Sequence, residues 1–309
     1  MAKKPRHWLA DFAVYAAVRA VVCVIQALPL RAALGFGRCL AIVAYQVDKR
    51  HREVARDNLR HAFPERCTDP AACDRLVRAC YNHFCTMVIE LAVIARRMHM
   101  PNWRSFVTPV HFDWSVVAVL ADRPVLLVTP HFGNWEVAGY VHGVIGLKVS
   151  AIARDLDNPY LDRYLRKFRQ KTGQKILSKT GDFDRITAVL AGGGIVGTLG
   201  DQDAGPKGLF VDFFGRPAST HKAVALLALQ HDALMIVGGV ARVGIMRFSH
   251  DIEEVIDPRE YAGRRPDAVR AITERFTQAF ERLVRRHPEQ YFWLHRRWKH
   301  QPPVRKPRS

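Results

Sequence analysis

Five short apolar runs, separated by stretches of helical periodicity, constrain the fold of this 309-residue chain more than any other feature. The runs are PVLLVT at 124–129, KVSAIA at 148–153, QKILSK at 174–179, GIVGTLG at 194–200 and ALMIVGGVA at 233–241. Helix-forming segments lie between them, at 134–143, 158–172, 181–191 and 220–231. Strands that alternate with helices at this spacing are typical of sheets whose faces are covered by helices. We therefore expect an α/β fold with a central, mixed or mostly parallel sheet flanked by helices.

Helical segments on both sides of this region complete the predicted domain. Residues 50–63 have helical character, and Asp69 followed by Pro70 offers an N-cap and a first helical position for a long helix. A last long helix is predicted at 266–287. The expected boundaries are an N-terminal apolar helix at 1–30, one domain at 31–300 and a basic, disordered tail at 301–309.

The N-terminal apolar stretch, Leu9 to Leu30, has the length of a membrane-spanning helix. Its polar residues fall within an arc of roughly 80° on a helix and form one stripe: Asp11, Tyr15, Arg19 and Gln26. Such a helix either lies in the membrane interface or crosses the bilayer with its stripe against protein. The alternative is a buried helix of a soluble domain. We expect association with a membrane.

The charge balance narrows the class of partner. The chain has 47 Lys and Arg against 29 Asp and Glu, a net charge of +18. This favours an anionic membrane surface, a phosphorylated substrate, an acidic protein or a nucleic acid. A nucleic-acid-binding protein is the alternative from another class, but zinc-finger spacing and RNA-binding aromatic signatures are missing from the sequence. None of the six cysteines forms a C-x-x-C pair, so we expect a reducing compartment and no structural metal.

The strongest candidate for chemistry is the corner that follows the first apolar run. His131 comes directly after this predicted strand, Gly133 permits a tight turn, and Asn134 is a predicted N-cap that places Glu136 in the first helical turn. We expect the Glu136 carboxylate to accept a hydrogen bond from one imidazole nitrogen and leave the other as a base. The alternative is a structural His–Glu cap. Because no G-x-S-x-G motif or nearby cysteine offers a nucleophile, the base is expected to activate a hydroxyl of the substrate.

A glycine pattern elsewhere in the chain imitates a dinucleotide-binding fingerprint. Gly192, Gly194 and Gly197 satisfy G-x-G-x-x-G, but they follow a predicted helix and enter a predicted strand. The fingerprint requires the opposite order, and glycine commonly ends a helix. We expect no nucleotide cofactor.

Several motifs in order resemble the late acyltransferases of lipid A biosynthesis, the lauroyl- and myristoyltransferases of the H-x4-D/E superfamily. PHFGNWE at 130–136 resembles the family's HFGNWE motif. The other matching segments are RDNLRHAFPE at 56–65, RDLDNPYLD at 154–162, GDQD at 200–203, VDFFGRPAST at 211–220 and YFWLHRRWK at 291–299. The resemblance covers about residues 50–299, and the N-terminal apolar helix also fits.

The resemblance implies an acyltransferase domain that moves a fatty acyl chain from acyl carrier protein or coenzyme A to a hydroxyl of a lipid A precursor or related glycolipid. It implies His131 as the general base and Glu136 as the residue that orients it. Arg154 would bind phosphate or carboxylate groups, the alternative being a surface ion pair with Asp155 or Asp157. Asp201 would help to shape the site, the alternative being a loop cap. From the residues themselves, the helix start after Gly133 and Asn134 is expected to supply donors for the oxyanion, because helix starts favour negative charge. The implied location is the cytoplasmic face of the cell inner membrane, without a metal, a cofactor or a nucleic acid partner.

Two related activities share the same chemistry and stay open at this point. A glycerolipid or lysophospholipid acyltransferase differs in its acceptor. So does a phosphoinositol-mannoside acyltransferase, which belongs to the wider family.

Overall fold

A helical N-terminal region leads into the sheet. The computed structural model describes residues 7–111, 122–178, 181–263 and 265–302. The first elements are α1 (Trp8–Ala27), α2 (Leu30–Val47), α3 (Lys49–Ala62), α4 (Pro70–Arg97), a 3₁₀ turn at Trp103–Ser105 and β1 (Val107–Val110). Asp69 caps α4 as predicted, because its carboxylate accepts a hydrogen bond from the Ala72 backbone N–H at 2.8 Å.

The predicted alternation of strands and helices follows. Its elements are β2 (Val125–Thr129), α5 (Trp135–Val144), β3 (Val149–Ala153), α6 (Pro159–Gln170), β4 (Lys175–Ser178), α7 (Phe183–Ala191) and β5 (Ile195–Leu199). The remaining elements are β6 (Leu209–Phe213), β7 (Arg216–Thr220), α8 (Ala223–His231), β8 (Leu234–Gly244), β9 (Arg247–Ile256), a 3₁₀ turn at Pro258–Tyr261, α9 (Arg265–Arg286) and a 3₁₀ turn at Pro288–Gln290. The five predicted strands and the predicted helices are confirmed. Residues 179 and 303–309, part of one predicted strand and of the predicted tail, lie outside the described residues.

The main sheet has seven strands in the order β1-β9-β8-β2-β5-β3-β4. β2 pairs in parallel with both β8 and β5, and β3 pairs in parallel with β5 and β4. β9 is antiparallel to β8, while β1 is parallel to β9. The predicted α/β class with a mostly parallel sheet is confirmed. The carboxyl ends of β2, β5, β3 and β4 therefore meet at one edge, where ligands bind in sheets of this kind.

Helices cover the two faces of the sheet and bury its apolar side chains. One large cluster joins α8, α9 and the aromatic residues after α9 to the sheet, with Phe276, Phe280 and Trp293 almost fully buried. A second cluster joins α4 and α5 to β8 and β9, around Ile89, Val141 and Phe248. The corner after β2 lies between elements that belong to both clusters, so the surrounding packing holds it from two sides.

The polar stripe of α1 lies against the protein. The Asn158 side chain donates to the Asp11 carbonyl at 2.8 Å, Arg19 stacks over the Tyr164 ring at 4.6 Å, and Gln26 donates to the Ala92 carbonyl at 2.7 Å. The remaining surface of α1 is apolar and exposed, and only Asp11 and Ile25 are buried. The alternative, that this helix is buried within the domain, is therefore wrong.

The described N-terminal region has three helices that are long and apolar enough to cross a membrane by length and composition: α1, α2 and α4. They differ in how much of their surface the protein covers. The most apolar stretch of α1 is 11% buried, whereas that of α4 is 56% buried. α1 and α2 consequently present the apolar surface that can associate with a membrane.

Candidate active site

The corner between β2 and α5 has a backbone shape that only glycine permits at its centre. Gly133 has φ +57°, and a Cβ atom there would lie 1.9 Å from the Val240 carbonyl oxygen. The neighbouring amides anchor the corner to other parts of the chain. The Gly133 N–H donates to the Gln290 carbonyl at 2.9 Å, and the Asn134 N–H donates to the Val240 carbonyl at 2.8 Å. The position of His131 is thus set by β8 and by the segment after α9.

The His131 ring is held by Asp201. Its Nδ1 lies 2.6 Å from one carboxylate oxygen of Asp201, and its backbone N–H donates to the other oxygen at 3.0 Å. Asp201 follows β5, and β5 is the neighbour of β2 in the sheet. The rings of Trp135 and Phe292 flank the imidazole, with centroids 5.2 Å and 6.0 Å away. This set of contacts determines the plane of the ring.

The electrostatics of the pair favour one tautomer. Asp201 is 1% exposed, and burial by itself would raise the pKa of its carboxyl group. The attraction to His131 and the hydrogen bonds from its ring and backbone outweigh burial and lower the pKa of Asp201 below its usual value. The ionised carboxylate accepts the Nδ1–H bond, so the neutral ring presents Nε2 as its basic nitrogen.

Glu136 is engaged by a different residue from the one predicted. Arg169 in α6 donates through Nε and Nη2 to the two Glu136 oxygens, at 3.0 Å and 2.5 Å. The sequence pattern predicted that Glu136 would hold a nitrogen of the His131 ring. The structure gives Nδ1 to Asp201 instead, because the helix start turns the Glu136 carboxylate toward α6.

Of the other predicted site residues, Arg154 is exposed and Asn134 is buried. Arg154 follows β3, its side chain is 82% exposed, and its nearest carboxylate is that of Asp157 at 3.9 Å. Asn134 is fully buried, caps α5 through the Val137 N–H and donates to Glu90. The predicted substrate contacts of Gly133 and Asn134 stay predictions, whereas their role in shaping the corner is evident from these bonds.

A cavity of about 620 Å³ opens beside the corner. His131, Glu136, Arg154 and Arg169 contribute polar groups to its wall. The remaining wall is chiefly apolar and comes from both the sheet and its covering helices, with Leu127, Val149, Ile152, Ile176, Leu227 and Ile236 among its side chains. The site therefore combines a histidine held by a carboxylate, two arginines and an apolar compartment.

Two histidines form part of the cavity wall without taking part in the corner. The rings of His142 and His250 lie 5.1 Å apart. Burial lowers the pKa of His142 to about 3, helped by repulsion from His250, and lowers the pKa of His250 to about 4. Both rings are therefore neutral in the folded protein near pH 7.

These depressed pKa values predict a loss of stability on acidification. In the unfolded chain both histidines titrate near pH 6.5, so between pH 6.5 and about 4 the unfolded state binds protons that the folded state does not. We expect the free energy of unfolding to fall by at most about 1.4 kcal/mol per pH unit for each ring in this range. Thermal unfolding in detergent between pH 7.5 and 5 measures the effect. The His142→Gln/His250→Gln double variant should show a shallower pH dependence, while His51→Gln, at an exposed position, should keep the wild-type slope.

Two contributors to the site are not identifiable from the sequence. Arg169 is one of several arginines on the amphipathic helix α6, and Phe292 lies in an aromatic segment after α9. Their proximity to the corner arises from tertiary packing. No local pattern distinguishes them. Within the described ranges, no group of three or more His, Cys, Asp or Glu side chains is arranged to hold a metal ion.

The amino-acid sequence of this chain is similar to those of known acyltransferases. Residues 2–300 match a family model described as bacterial lipid A biosynthesis acyltransferase. The chain is similar to the lipid A biosynthesis palmitoleoyltransferase of Escherichia coli K12, with 25% identity over 96% of this chain and 93% of the relative. It is similar to the lipid A biosynthesis lauroyltransferase of the same organism, with 24% identity over 96% and 94%. A phosphatidylinositol mannoside acyltransferase of Mycobacterium tuberculosis H37Rv is 24% identical over 80% of this chain and 77% of its own length.

Proposed function

This chain belongs to the family of bacterial lipid A biosynthesis acyltransferases, and from that membership we propose a donor, an acceptor and a mechanism for it. The protein is an acyltransferase that acts on a glycolipid. The proposed donor is a fatty acyl thioester of acyl carrier protein or coenzyme A. The proposed acceptor is a hydroxyl group of a lipid A precursor or a related glycolipid.

The observation that carries the proposal is the His131–Asp201 pair at the wall of an apolar cavity. With Nδ1–H bonded to Asp201, Nε2 of His131 takes the proton of the acceptor hydroxyl as that oxygen attacks the thioester carbonyl carbon. The tetrahedral intermediate then collapses, the carbon–sulfur bond breaks, and the imidazolium returns its proton to the departing thiolate. The products are an ester and a free thiol, and His131 is neutral again.

The backbone N–H groups that precede α5 are already used and do not serve the oxyanion. The N–H groups of residues 131–134 each already donate to a protein acceptor: the Asp201 carboxylate and the carbonyls of Pro130, Gln290 and Val240. The expectation that the start of α5 supplies donors stays a prediction for its first N–H groups, those of Trp135 and Glu136. We propose Arg169 as a further donor to the developing negative charge, because it lines the cavity and is held in place by Glu136. This gives Glu136 an indirect role in the reaction.

The remaining features of the cavity match the two substrates. The apolar wall suits a fatty acyl tail, because each buried methylene contributes about 0.8 kcal/mol of transfer free energy. Arg154 is exposed, lines the same cavity and is suited to a phosphate group of the acceptor. The net charge of +18 suits an acidic carrier protein and an anionic membrane surface.

The apolar N-terminal helices support a proposed association with a membrane. The two Escherichia coli relatives are named as enzymes of lipid A biosynthesis, and α1 exposes an apolar face to its surroundings. We place the active site at the cytoplasmic face, where acyl thioesters are available, with the α1 face in contact with the bilayer. Nucleic acid is not a proposed partner.

The proposal is tested by incubating the purified protein in detergent with labelled acyl carrier protein and, separately, acyl coenzyme A. Each donor is offered with a lipid A precursor, a lysophosphatidate and a phosphatidylinositol mannoside, and the lipids are analysed by mass spectrometry. We expect one acyl group to be added to the lipid A precursor. Preferential acylation of lysophosphatidate would favour a glycerolipid acyltransferase, and preferential acylation of the mannoside would favour the activity named for the mycobacterial relative.

A further inference from the structure

A buried ion pair lies next to the corner and does not contribute to the cavity wall. Arg242 in β8 donates through Nε to one oxygen of Glu90 in α4 at 2.5 Å, and through Nη2 to the other oxygen at 2.7 Å. The side chain of Glu90 is 1% exposed and that of Arg242 is 15% exposed. The contact is bidentate, which determines the relative orientation of the two side chains.

The carboxylate of this pair also holds the residue that caps α5. The Asn134 side-chain amide donates to Glu90 at 2.9 Å, while its oxygen accepts the Val137 N–H and caps the helix. Asn134 consequently links the buried ion pair to the start of the helix that follows His131.

Arg242 is also linked to Gly133, the residue before Asn134, through His83. Arg242 donates through Nη1 to Nδ1 of His83 at 2.7 Å. The Nε2 of His83 then donates to the Gly133 carbonyl at 3.0 Å. The Gln290 side chain bonds both the N–H and the carbonyl of Arg242, and the Gln290 carbonyl accepts the Gly133 N–H. Gly133 is held on both sides by residues that contact Arg242.

A contribution to stability alone does not explain why the buried Glu90–Arg242 ion pair lies beside the corner. Removing two charges from water is costly, and well-packed apolar side chains of similar volume often stabilise a core as well or better. What the pair adds is a fixed geometry, since it bonds Asn134 directly and Gly133 through His83, and these are two of the three residues between His131 and α5.

We propose that Glu90 and Arg242 are positioning residues for acyl transfer, which hold Gly133 and Asn134 so that the His131 ring meets both Asp201 and the cavity. The inference rests on the proposed function of His131 as the base. A displacement of about 1 Å at a reacting group costs roughly 10²-fold in rate, so a small shift of the corner has a large effect.

The test replaces Glu90 with an uncharged group of the same shape. In Glu90→Gln an NH₂ group takes the place of one carboxylate oxygen, and at either position it faces at least one Arg242 donor. We expect kcat to fall by about 10–100-fold while KM for the acyl donor changes by no more than about twofold. Arg242→Lys, which keeps the charge and loses the bidentate contact, should show the same separation of kcat from KM. It also provides the test if Glu90→Gln fails to fold.

The matched control breaks an ion pair at the opposite end of β2. Arg123 donates through Nη1 and Nη2 to the two Asp257 oxygens, each at 2.8 Å. Asp257→Asn should lower the unfolding temperature but leave kcat within about twofold of the wild type, since this pair lies away from the corner. An equal loss of kcat in Asp257→Asn and Glu90→Gln would mean that general stability is responsible, and would overturn the proposal.

A readout that needs no substrate separates this inference from the proposed function. Carbethoxylation of His131 by diethyl pyrocarbonate is followed by peptide mass spectrometry. Its rate should change in Glu90→Gln and stay at the wild-type value in Asp257→Asn. Wild-type rate and kcat in Glu90→Gln would overturn the positioning role. If the wild-type protein transfers no acyl group, the proposed function fails, while a changed His131 reactivity in Glu90→Gln still supports the positioning of the ring.

Discussion

His131→Ala is expected to lower kcat for acyl transfer by about 10²–10⁴-fold, the contribution of a positioned general base. The substitution removes Nε2, the nitrogen that takes the acceptor proton in the proposed mechanism. Donor binding should change little, because the apolar wall of the cavity is unaffected. Rates with saturating donor and acceptor, measured by mass spectrometry of the product lipid, give the effect on kcat.

A second variant controls for the loss of the bond to Asp201. In His131→Asn the side-chain amide can still donate to the Asp201 carboxylate, but it offers no basic nitrogen. We expect the same loss of kcat as in His131→Ala, with an unfolding temperature closer to that of the wild type. His51→Ala removes an exposed histidine and should leave the rate unchanged. Turnover close to wild type in His131→Asn would show that another group accepts the proton.

Asp201→Asn is expected to produce the second large effect, again about 10²–10⁴-fold in kcat. Both oxygens of Asp201 accept bonds from His131, one from the ring and one from the backbone N–H. Asparagine places an NH₂ group against one of these donors. Where that group faces Nδ1, the ring is driven to the tautomer with its proton on Nε2, which cannot act as the base. The same rate measurement at saturating substrates tests this result.

A carboxylate–histidine pair two residues farther along the chain serves as the control. Asp203 lies 2.7 Å from Nδ1 of His300, and neither residue contributes to the cavity wall. Asp203→Asn should keep kcat within about tenfold of the wild type. Comparable losses in the Asp203 and Asp201 variants would contradict a specific role for Asp201 at the imidazole.

The strands that the sequence predicts correctly are those with a strong local pattern. β2 and β8 are nearly continuous apolar runs, as expected of strands covered on both faces, and most of their side chains are buried. β9 was not predicted, although Phe248, His250 and Ile252 alternate toward the interior. Its intervening acidic residues make the segment resemble a polar loop.

The hairpin of β6 and β7 shows a different limit. Phe213 pairs with Arg216, so the loop contains only Phe214 and Gly215, with φ of +56° and +75°. Two residues with positive φ are typical of a type I′ turn, for which Asn-Gly and Asp-Gly are the usual signals. Because phenylalanine is not a usual residue at the first position of such a turn, residue preferences do not predict a turn at Phe214.

In the candidate site, too, the sequence predicted local features but not long-range contacts. The corner that carries His131, Gly133, Asn134 and Glu136 was predicted from a few consecutive residues, since a strand end, a glycine and an N-cap are local features. The partners within that corner were predicted incorrectly. Proximity in the chain favoured Glu136 as the partner of His131, whereas the sheet brings Asp201 to Nδ1 from 70 residues away.

The amino-acid sequence by itself determined where the five apolar strands and the predicted helices lie, which side chains stand at the ends of those strands and which face of α1 is polar. Each of these depends on the periodicity of neighbouring side chains and on the conformations that Gly, Pro and Asn permit. Only the tertiary structure decided which strand ends are adjacent, and with them the partners of His131, Glu136 and Glu90. The order of strands in a sheet depends on how the whole chain buries the apolar faces of all its strands and helices together. No single segment of the sequence contains this information.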